Sequence, residues 1–367
     1  MLEQVTEKKG NGQDGTAYAR QAIDSCRTLS NDPAQAWRLT DRWNNAAVVT
    51  DGSCVPGLGD IGPLASLPLV EEKGRLLSKL ADISAFPLVL DTKSLDDAVT
   101  AIISLAPSFG VVNLEAMNEN ASMEIKRRLA EFDELPVYHD TQDGLPILGL
   151  AALLNALRVL GKKMADVRMV LVAGETEALP MVDFFRLAGA ADIVVCDRSG
   201  AIHKGRPGAT NWVKEELAQK TNPRQLRGNL GKVVAGADVL VILSQNAPLG
   251  KDLAGPMASD AIIFNLTDQK ADFGQAAITA GLGPNQPNQL SPCLVFPGVI
   301  RGVLNARATV INATMKMAAA LALSKLVPES DMARDFIVPS VSKPNLVPVL
   351  AEAVSTAAAA SGVSRFL

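Results

Sequence analysis

Histidine, cysteine and aromatic residues are all scarce in this 367-residue chain. Only two histidines occur, His139 and His203, which excludes a histidine-rich metal site. Aromatic residues make up 4% of the chain, so alanine, leucine and valine must fill most of the core. The cysteines are far apart and form no Cys-x-x-Cys pair, which argues against a disulfide or zinc framework and predicts reduced core thiols. They are Cys26, Cys54, Cys196 and Cys293.

The chain also lacks a basic excess and a long apolar run. Lysine and arginine total 35 against 39 aspartates and glutamates, a net charge of −4, which argues against a nucleic-acid binder. No uncharged apolar run reaches the ~20 residues that span a bilayer. The polar first 15 residues lack the apolar segment of a signal peptide. We therefore predict a cytoplasmic protein with no membrane segment, and the 48% hydrophobic content predicts a sizeable core.

Strand-like and helix-like segments alternate through the second part of the chain, residues 148–335. This alternation predicts an α/β fold with a doubly wound, Rossmann-type parallel sheet. The predicted strands are 167–173, 192–197, 238–243 and 261–266, and the predicted helices between them are 179–188 and 226–235.

The first part of the chain, residues 1–147, is predicted to be a separate α/β domain. Residues 57–68 form a glycine- and proline-rich segment within it, and a helix over 148–161 connects it to the second domain. Residues 336–367 are predicted to pack back on both domains as a helical segment, with the alanine-rich part, 351–362, docked on the surface. The predicted strands of the first domain are 46–50, 86–91, 110–114 and 136–139.

Acidic residues follow two of these strands, in Asn113-Leu114-Glu115 and His139-Asp140. Ligands of open α/β sheets bind beyond the carboxyl ends of the strands, which makes both acids candidate site residues. From the local sequence alone, these two acids could equally well be caps of the helices that follow.

Seven segments, in order along residues 18–365, resemble the signature of the malic enzymes. They are VVTDGSCVPGLGDIGPLASLPLVEEK (48–73), SAFPLVLDT (84–92), FGVVNLE (109–115), VYHDTQDG (137–144), AALLNALRVLGKK (151–163), VVCDRSGAI (194–202) and VFPGVIRG (295–302). The resemblance implies the malic-enzyme fold: an N-terminal domain for substrate and metal, followed by a Rossmann-type dinucleotide domain.

The resemblance also implies a reaction: oxidation of L-malate with NAD or NADP, followed by decarboxylation to pyruvate with Mg²⁺ or Mn²⁺ as Lewis acid. By position, the general base is Lys73 and the general acid is Tyr18. A base at this step needs a lowered pKa. The alternatives are a solvated Lys73 paired with Glu71 and Glu72, and a Tyr18 that only packs.

The sequence departs from the family at the metal site. The family's three carboxylates are a Glu-Asp pair and the second aspartate of a His-Asp-Asp run. Here the pair is Glu115-Ala116 and the run is His139-Asp140-Thr141. Glu115 is therefore the one expected metal ligand, with Asp140 as a neighbouring acid that reaches the metal only if its loop shifts. A hard divalent cation would be poorly compensated.

The dinucleotide loop departs as well. In place of Gly-x-Gly-x-x-Gly stands Ala173-Gly174-Glu175-Thr176-Glu177-Ala178, so Gly174 is the glycine that remains to approach a phosphate. Both glutamates are predicted to repel a pyrophosphate unless they point to solvent. Asp197 ends the next predicted strand, where an acid bonds the ribose hydroxyls of NAD, although the adjacent Arg198 leaves NADP open and a structural role is equally compatible.

Two asparagines that hold malate and nicotinamide in the family are replaced by Thr267-Asp268-Gln269 and Ser291-Pro292. Three hypotheses follow. The first is a malic-enzyme-family protein with little or no oxidative decarboxylation, acting as a binding or regulatory partner, as a homodimer or with an active paralogue. The second is a working enzyme with rearranged metal and cofactor sites. The third is a cofactor-independent enzyme that uses Lys73 and Tyr18. All three predict a small dicarboxylate or keto acid as ligand.

Overall fold

Two parallel sheets organise the chain. The computed structural model describes residues 14–132, 135–208, 211–245, 247, 253–283 and 286–365, and for 14–18 the backbone alone. The central strands of each sheet are short apolar runs with every residue or nearly every residue buried, as in parallel sheets covered by helices on both faces.

The first sheet has four parallel strands in the order β2-β1-β3-β4. Its strands are β1 (Asn45–Thr50), β2 (Ser84–Val89), β3 (Val111–Leu114) and β4 (Val137–His139). The helices of this part are α1 (Asp14–Asn31), α2 (Ala36–Leu39), α3 (Pro63–Ala81), α4 (Leu95–Leu105) and α5 (Glu119–Ala130). A single π-helical turn, Asp140–Gly144, follows β4.

The second sheet has the order β11-β10-β9-β8-β5-β6-β7, with β6–β7 as its antiparallel pair. Its strands are β5 (Arg168–Val172), β6 (Asp192–Asp197), β7 (Gly200–Ala201), β8 (Val239–Ile242), β9 (Ile262–Asn265), β10 (Ile278–Gly281) and β11 (Asn288–Gln289). The helices here are α6 (Leu145–Leu160), α7 (Glu175–Leu187), α8 (Trp212–Lys220) and α9 (Leu230–Val233). The strand order reverses between β5 and β8, which confirms the predicted doubly wound sheet.

Helix α6 and three later helices join the two sheets through one continuous core. The later helices are α10 (Phe296–Ala306), α11 (Ala313–Lys325) and α12 (Leu346–Ala360). Two glycines of α10 let α12 approach closely, since a Cβ on Gly298 would lie 2.5 Å from Leu350 and one on Gly302 would lie 2.6 Å from Val354. The core therefore runs from β1 to α12 without a break.

Helix α6 is more apolar than the sequence argument allowed. Together with the preceding turn, the segment Asp140–Leu160 is long and apolar enough to cross a membrane by length and composition. However, 72% of its most apolar window is buried inside the protein, as in the core helix of a globular domain.

Two local expectations are wrong. The helix predicted over 226–235 forms only over 230–233, because Asn222 binds both the backbone N–H (2.7 Å) and the carbonyl of Leu226 (2.8 Å), and Gly228 adopts a positive φ of 119°. The cysteines are all free, as predicted, but Cys26 and Cys54 are exposed and are not core thiols.

Candidate active site

Lys73 lies at the centre of a buried ionic cluster between the ends of β3 and β4. It projects from the inner face of α3 and is only 8% exposed. Its Nζ lies 3.0 Å from Oε2 of Glu115, donates a hydrogen bond to Asp140, and lies 4.0 Å from the ring centre of Phe296. The structure thus brings together three of the residues predicted from sequence: Lys73, Glu115 and Asp140.

The charge state of Lys73 differs from the sequence-based expectation. Burial alone would lower the pKa of Lys73, but the carboxylates of Asp140 and Glu115 outweigh burial and raise it. The prediction of a lowered pKa is therefore wrong for this arrangement, and Lys73 is an ammonium at neutral pH. Burial raises the pKa of Glu115, and the attraction of Lys73 opposes that rise.

The solvated alternative for Lys73 is also wrong. The exposed carboxylates beside it in the chain pair with Arg75, whose Nε lies 2.8 Å from Glu72 and whose Nη1 lies 3.9 Å from Glu71. Lys73 points to the opposite side of α3, toward the two sheets. Helical spacing alone left both directions open.

Tyr138 is a site residue that the sequence argument missed. Its hydroxyl donates to Oδ1 of Asp140 at 3.2 Å, and its side chain is fully buried. Burial and the neighbouring Asp140 raise the pKa of Tyr138 well above its ordinary value. Its place directly before His139-Asp140 was the available signal. Asp140 is thus fixed through both carboxylate oxygens, one by Tyr138 and one by Lys73.

Asp143 anchors the same turn from its other end and was also missed. It is completely buried, accepts a hydrogen bond from the backbone N–H of His139 at 3.0 Å, and pairs with Lys126 of α5 and, at 3.2 Å, with Lys316 of α11. Burial works against the charged form, but the two ammonium groups lower the pKa of Asp143. The turn that carries Asp140 is therefore held by helices from both ends of the chain.

The residues present do not fit the divalent metal that the resemblance implied. Ala116 offers no side-chain oxygen, and the hydroxyl of Thr141 donates to Oε1 of Glu119 at 2.9 Å. The ammonium of Lys73 binds both Glu115 and Asp140. Among the described residues, no group of three or more histidines, cysteines, aspartates or glutamates is arranged to hold a metal ion.

Glu119 is a further carboxylate at this site, and it contacts Thr141, one of the two altered metal positions. It begins α5, and burial raises its pKa to about 7, an effect opposed by the hydrogen bond from Thr141 and reinforced by Glu177 and Asp140. No feature of the local sequence predicted this contact, because Glu119 and Thr141 are 22 residues apart.

A second candidate site is a crevice of about 780 Å³ at the carboxyl ends of β5 and β6. Gly174, Glu175 and Glu177 line it where β5 leads into α7. Glu177 accepts a hydrogen bond from the backbone N–H of Gly174 at 3.0 Å. Glu175 instead pairs with Lys214 at 3.2 Å and accepts from Asn211 at 3.2 Å.

Asp197 lies in the same crevice with its carboxylate already occupied. Arg206 donates to both oxygens, at 3.0 Å to Oδ1, and the backbone N–H of Ser199 donates at 2.8 Å. Burial opposes the charge, but these bonds and the nearby Lys214 lower the pKa of Asp197. Arg198 lines the crevice and is exposed. Gly174, Asp197 and Arg198 thus line one cavity.

The remaining predicted site residues lie elsewhere. Asp268 is exposed on a turn in which Thr267 donates to Asn265 at 2.7 Å. The side chain of Tyr18 lies outside the described residues, and only its backbone, on α1, is placed.

The fold and the two sites define an α/β protein with two parallel-stranded sheets and a dinucleotide-type crevice beside a lysine–carboxylate cluster. Residues 28–130 match the malic enzyme N-terminal domain family, and residues 277–359 match the malic enzyme NAD-binding domain family. The chain belongs to the malic enzyme family.

Similarity to individual relatives extends over nearly the whole chain. A bifunctional malic/malolactic enzyme of Bacillus subtilis is 37% identical, over 95% of this chain and 87% of the relative. An NAD-dependent malic enzyme of Geobacillus stearothermophilus is 38% identical, over 93% and 72%. The crystal structure of an NAD-dependent malic enzyme from Thermotoga maritima superposes with a TM-score of 0.88 at 32% identity, covering 95% of this chain and 94% of the other.

The raised pKa of Glu119 predicts a stability that falls as pH rises. Its pKa is about 7 in the folded protein against an ordinary 4.5, so the folded state binds the extra proton between these values. The contribution of Glu119 to stability is fully present below pH 4.5 and is lost as pH rises through 7. Glu119→Gln should remove about 2 kcal/mol of this loss, as measured by urea unfolding at pH 5 and pH 8.

Glu131→Gln, at the exposed far end of α5, serves as the control and should leave the pH dependence unchanged. Equal pH dependence in the wild type and Glu119→Gln would show that Glu119 ionises normally.

Proposed function

We propose that this chain is a malic-enzyme-family protein that does not oxidise malate at a useful rate. We infer instead a binding or regulatory role in the cytoplasm, with a small dicarboxylate or keto acid as ligand. The observation that carries this proposal is the ammonium of Lys73 between Glu115 and Asp140. The match to the malic enzyme NAD-binding domain supports NAD or NADP as the family's cofactor. The Lys73 contacts bear on the metal, and Mg²⁺ or Mn²⁺ is not proposed as a working cofactor here.

A general base must be unprotonated at the working pH to accept a proton from a substrate hydroxyl. In this cluster two buried carboxylates stabilise the protonated form of Lys73, so releasing its proton is unfavourable. The same two carboxylates are occupied by Lys73, and Ala116 and Thr141 contribute no carboxylate beside them. The contacts of Lys73 with Glu115 and Asp140 thus disfavour both proton abstraction by Lys73 and metal binding by the two carboxylates.

A second candidate rests on the same ammonium. A buried Lys73 that is charged at neutral pH is well suited to stabilise negative charge that develops on a carbonyl oxygen. Cofactor-independent enolisation or decarboxylation of a keto acid would use Lys73 in this way, with Tyr18 as proton donor. An active malic enzyme with a rearranged metal site would have to recruit Glu119, whose Oε2 is buried without a hydrogen-bond partner.

Malate turnover with NAD⁺ or NADP⁺ and Mn²⁺ separates these candidates. We expect no reduced cofactor above the blank from the wild type, and no Mn²⁺ binding by electron paramagnetic resonance. The double variant Ala116→Asp with Thr141→Asp should gain Mn²⁺ affinity, whereas Ala116→Ser with Thr141→Ser should not. Mn²⁺-dependent malate oxidation by the wild type would contradict the proposal. Cofactor-free oxaloacetate decarboxylation that Lys73→Met abolishes would favour the second candidate.

We also propose that the protein is a homodimer built on α1. From residue 19 to the end of this helix no side chain is buried, although Ala22, Ile23, Cys26 and Leu29 form one apolar face. Isolated helices of this length are marginal in water, and most helices are stabilised by packing of their apolar face. A second copy would supply that packing with two-fold symmetry, and an active paralogue would use the same surface.

Sedimentation velocity tests the dimer. The wild type should sediment as a dimer and Ile23→Asp as a folded monomer, because the charge would be buried in the interface. Gln21→Asp, on the polar face of α1, should remain dimeric. A monomeric wild type, or a dimer insensitive to Ile23→Asp, would exclude this interface.

A further inference from the structure

We propose that the carboxylate of Glu177 occupies the position of a phosphate in the crevice. This carboxylate thereby excludes dinucleotides and nucleoside diphosphates from this protein. This inference concerns the binding of phosphate at α7 rather than proton transfer at Lys73, so it goes beyond the proposed function.

The geometry at the start of α7 carries the inference. The N-terminus of a helix that follows the first strand of a Rossmann-type unit presents free backbone N–H groups and a partial positive charge, which together bind phosphate. Here Gly174 caps α7 and has no side chain to satisfy those groups. The carboxylate of Glu177 folds back and accepts the N–H of Gly174 at 3.0 Å. This is the reciprocal contact of a capping box, and it sets a carboxylate of the chain itself at the helix end where a phosphate would bind.

The neighbouring acid behaves differently. Glu175 turns toward α8, where Lys214 lies at 3.2 Å and Asn211 donates at 3.2 Å, so its charge is compensated. Within the part of the chain that the structure describes, Glu177 pairs with no comparable cation, and its partner is the helix N-terminus itself. Of the two glutamates that the sequence places in this loop, Glu177 is therefore the one that determines what the crevice accepts.

The rest of the crevice remains open around the contact between Glu177 and Gly174. The cavity still measures about 780 Å³ and reaches from Gly174 to Asp197 and Ser244. A Cβ on Gly174 would meet only the side chain of Glu177, at 3.4 Å to Oε2. Removing the Glu177 carboxylate should therefore expose a helix N-terminus that is already formed and already faces the cavity.

Calorimetric titration with NAD⁺, and separately with inorganic pyrophosphate, tests this in the absence of malate and metal. The wild type should show no binding up to about 10 mM. Glu177→Ala should gain affinity for both probes by at least about 100-fold, to a Kd below about 0.1 mM. Glu177→Gln, which keeps a hydrogen-bond acceptor and removes the charge, should gain less. Glu175→Gln should bind no better than the wild type.

Thermal unfolding establishes that each variant is folded, and Glu177→Gln preserves the cap if Glu177→Ala destabilises α7. Micromolar binding of NAD⁺ by the wild type would overturn the inference, as would folded Glu177 variants that gain nothing. A gain in Glu175→Gln equal to that in Glu177→Gln would also overturn it. None of these results depends on malate turnover, so a failure here is distinguishable from a failure of the proposed function.

Discussion

The ion pairs of Lys73 with Glu115 and Asp140 are the interaction on which the rest of the site depends. They join α3 to the ends of β3 and β4 in a place where all three charged groups are largely removed from water. A buried charge that loses its partner is strongly destabilising, so each member constrains the other two. The same constraint determines protonation: Lys73 stays charged because the carboxylates stabilise the ammonium.

A divalent cation and an ammonium are alternative ways to compensate acidic groups at one place. In this chain the positions after Glu115 and Asp140 carry Ala116 and Thr141, which reduces the negative charge that any cation must balance. One ammonium and two carboxylates leave a net charge of −1 in the cluster, and burial raises the pKa of Glu115. In the crevice too, acidic groups are compensated by the protein itself. Its acids all have partners within the chain: Glu175, Glu177 and Asp197.

The fold that carries these two sites is that of the malic enzymes. Gly298 and Gly302 keep α10 against α12, and Asp143 connects the turn after β4 to α5 and α11. These contacts stabilise the arrangement of the two sheets whatever the site does chemically. A site that departs from the family's motif on an intact framework is therefore physically consistent, since the contacts between the sheets and helices and those within the site involve largely different residues.

The sequence predicted the sheets well because buried parallel strands are short continuous apolar runs, as in residues 192–197. It also placed Lys73, Glu115 and Asp140 in one region, since strand ends and family motifs both point there. It did not predict the raised pKa of Lys73, which depends on distances between segments up to 67 residues apart. Contacts such as Thr141 with Glu119 and Asp143 with Lys316 leave no periodic pattern in the chain.

The protonation state of Lys73 is the most direct test of this account. Selective ¹⁵N labelling of lysine, with the Lys73 signal assigned by its loss in Lys73→Met, reports the ammonium by NMR as pH is raised. The account predicts that Lys73 remains an ammonium beyond pH 10, after exposed lysines have begun to lose their protons. Deprotonation of Lys73 between pH 7 and 8 would show a poised general base and contradict the account.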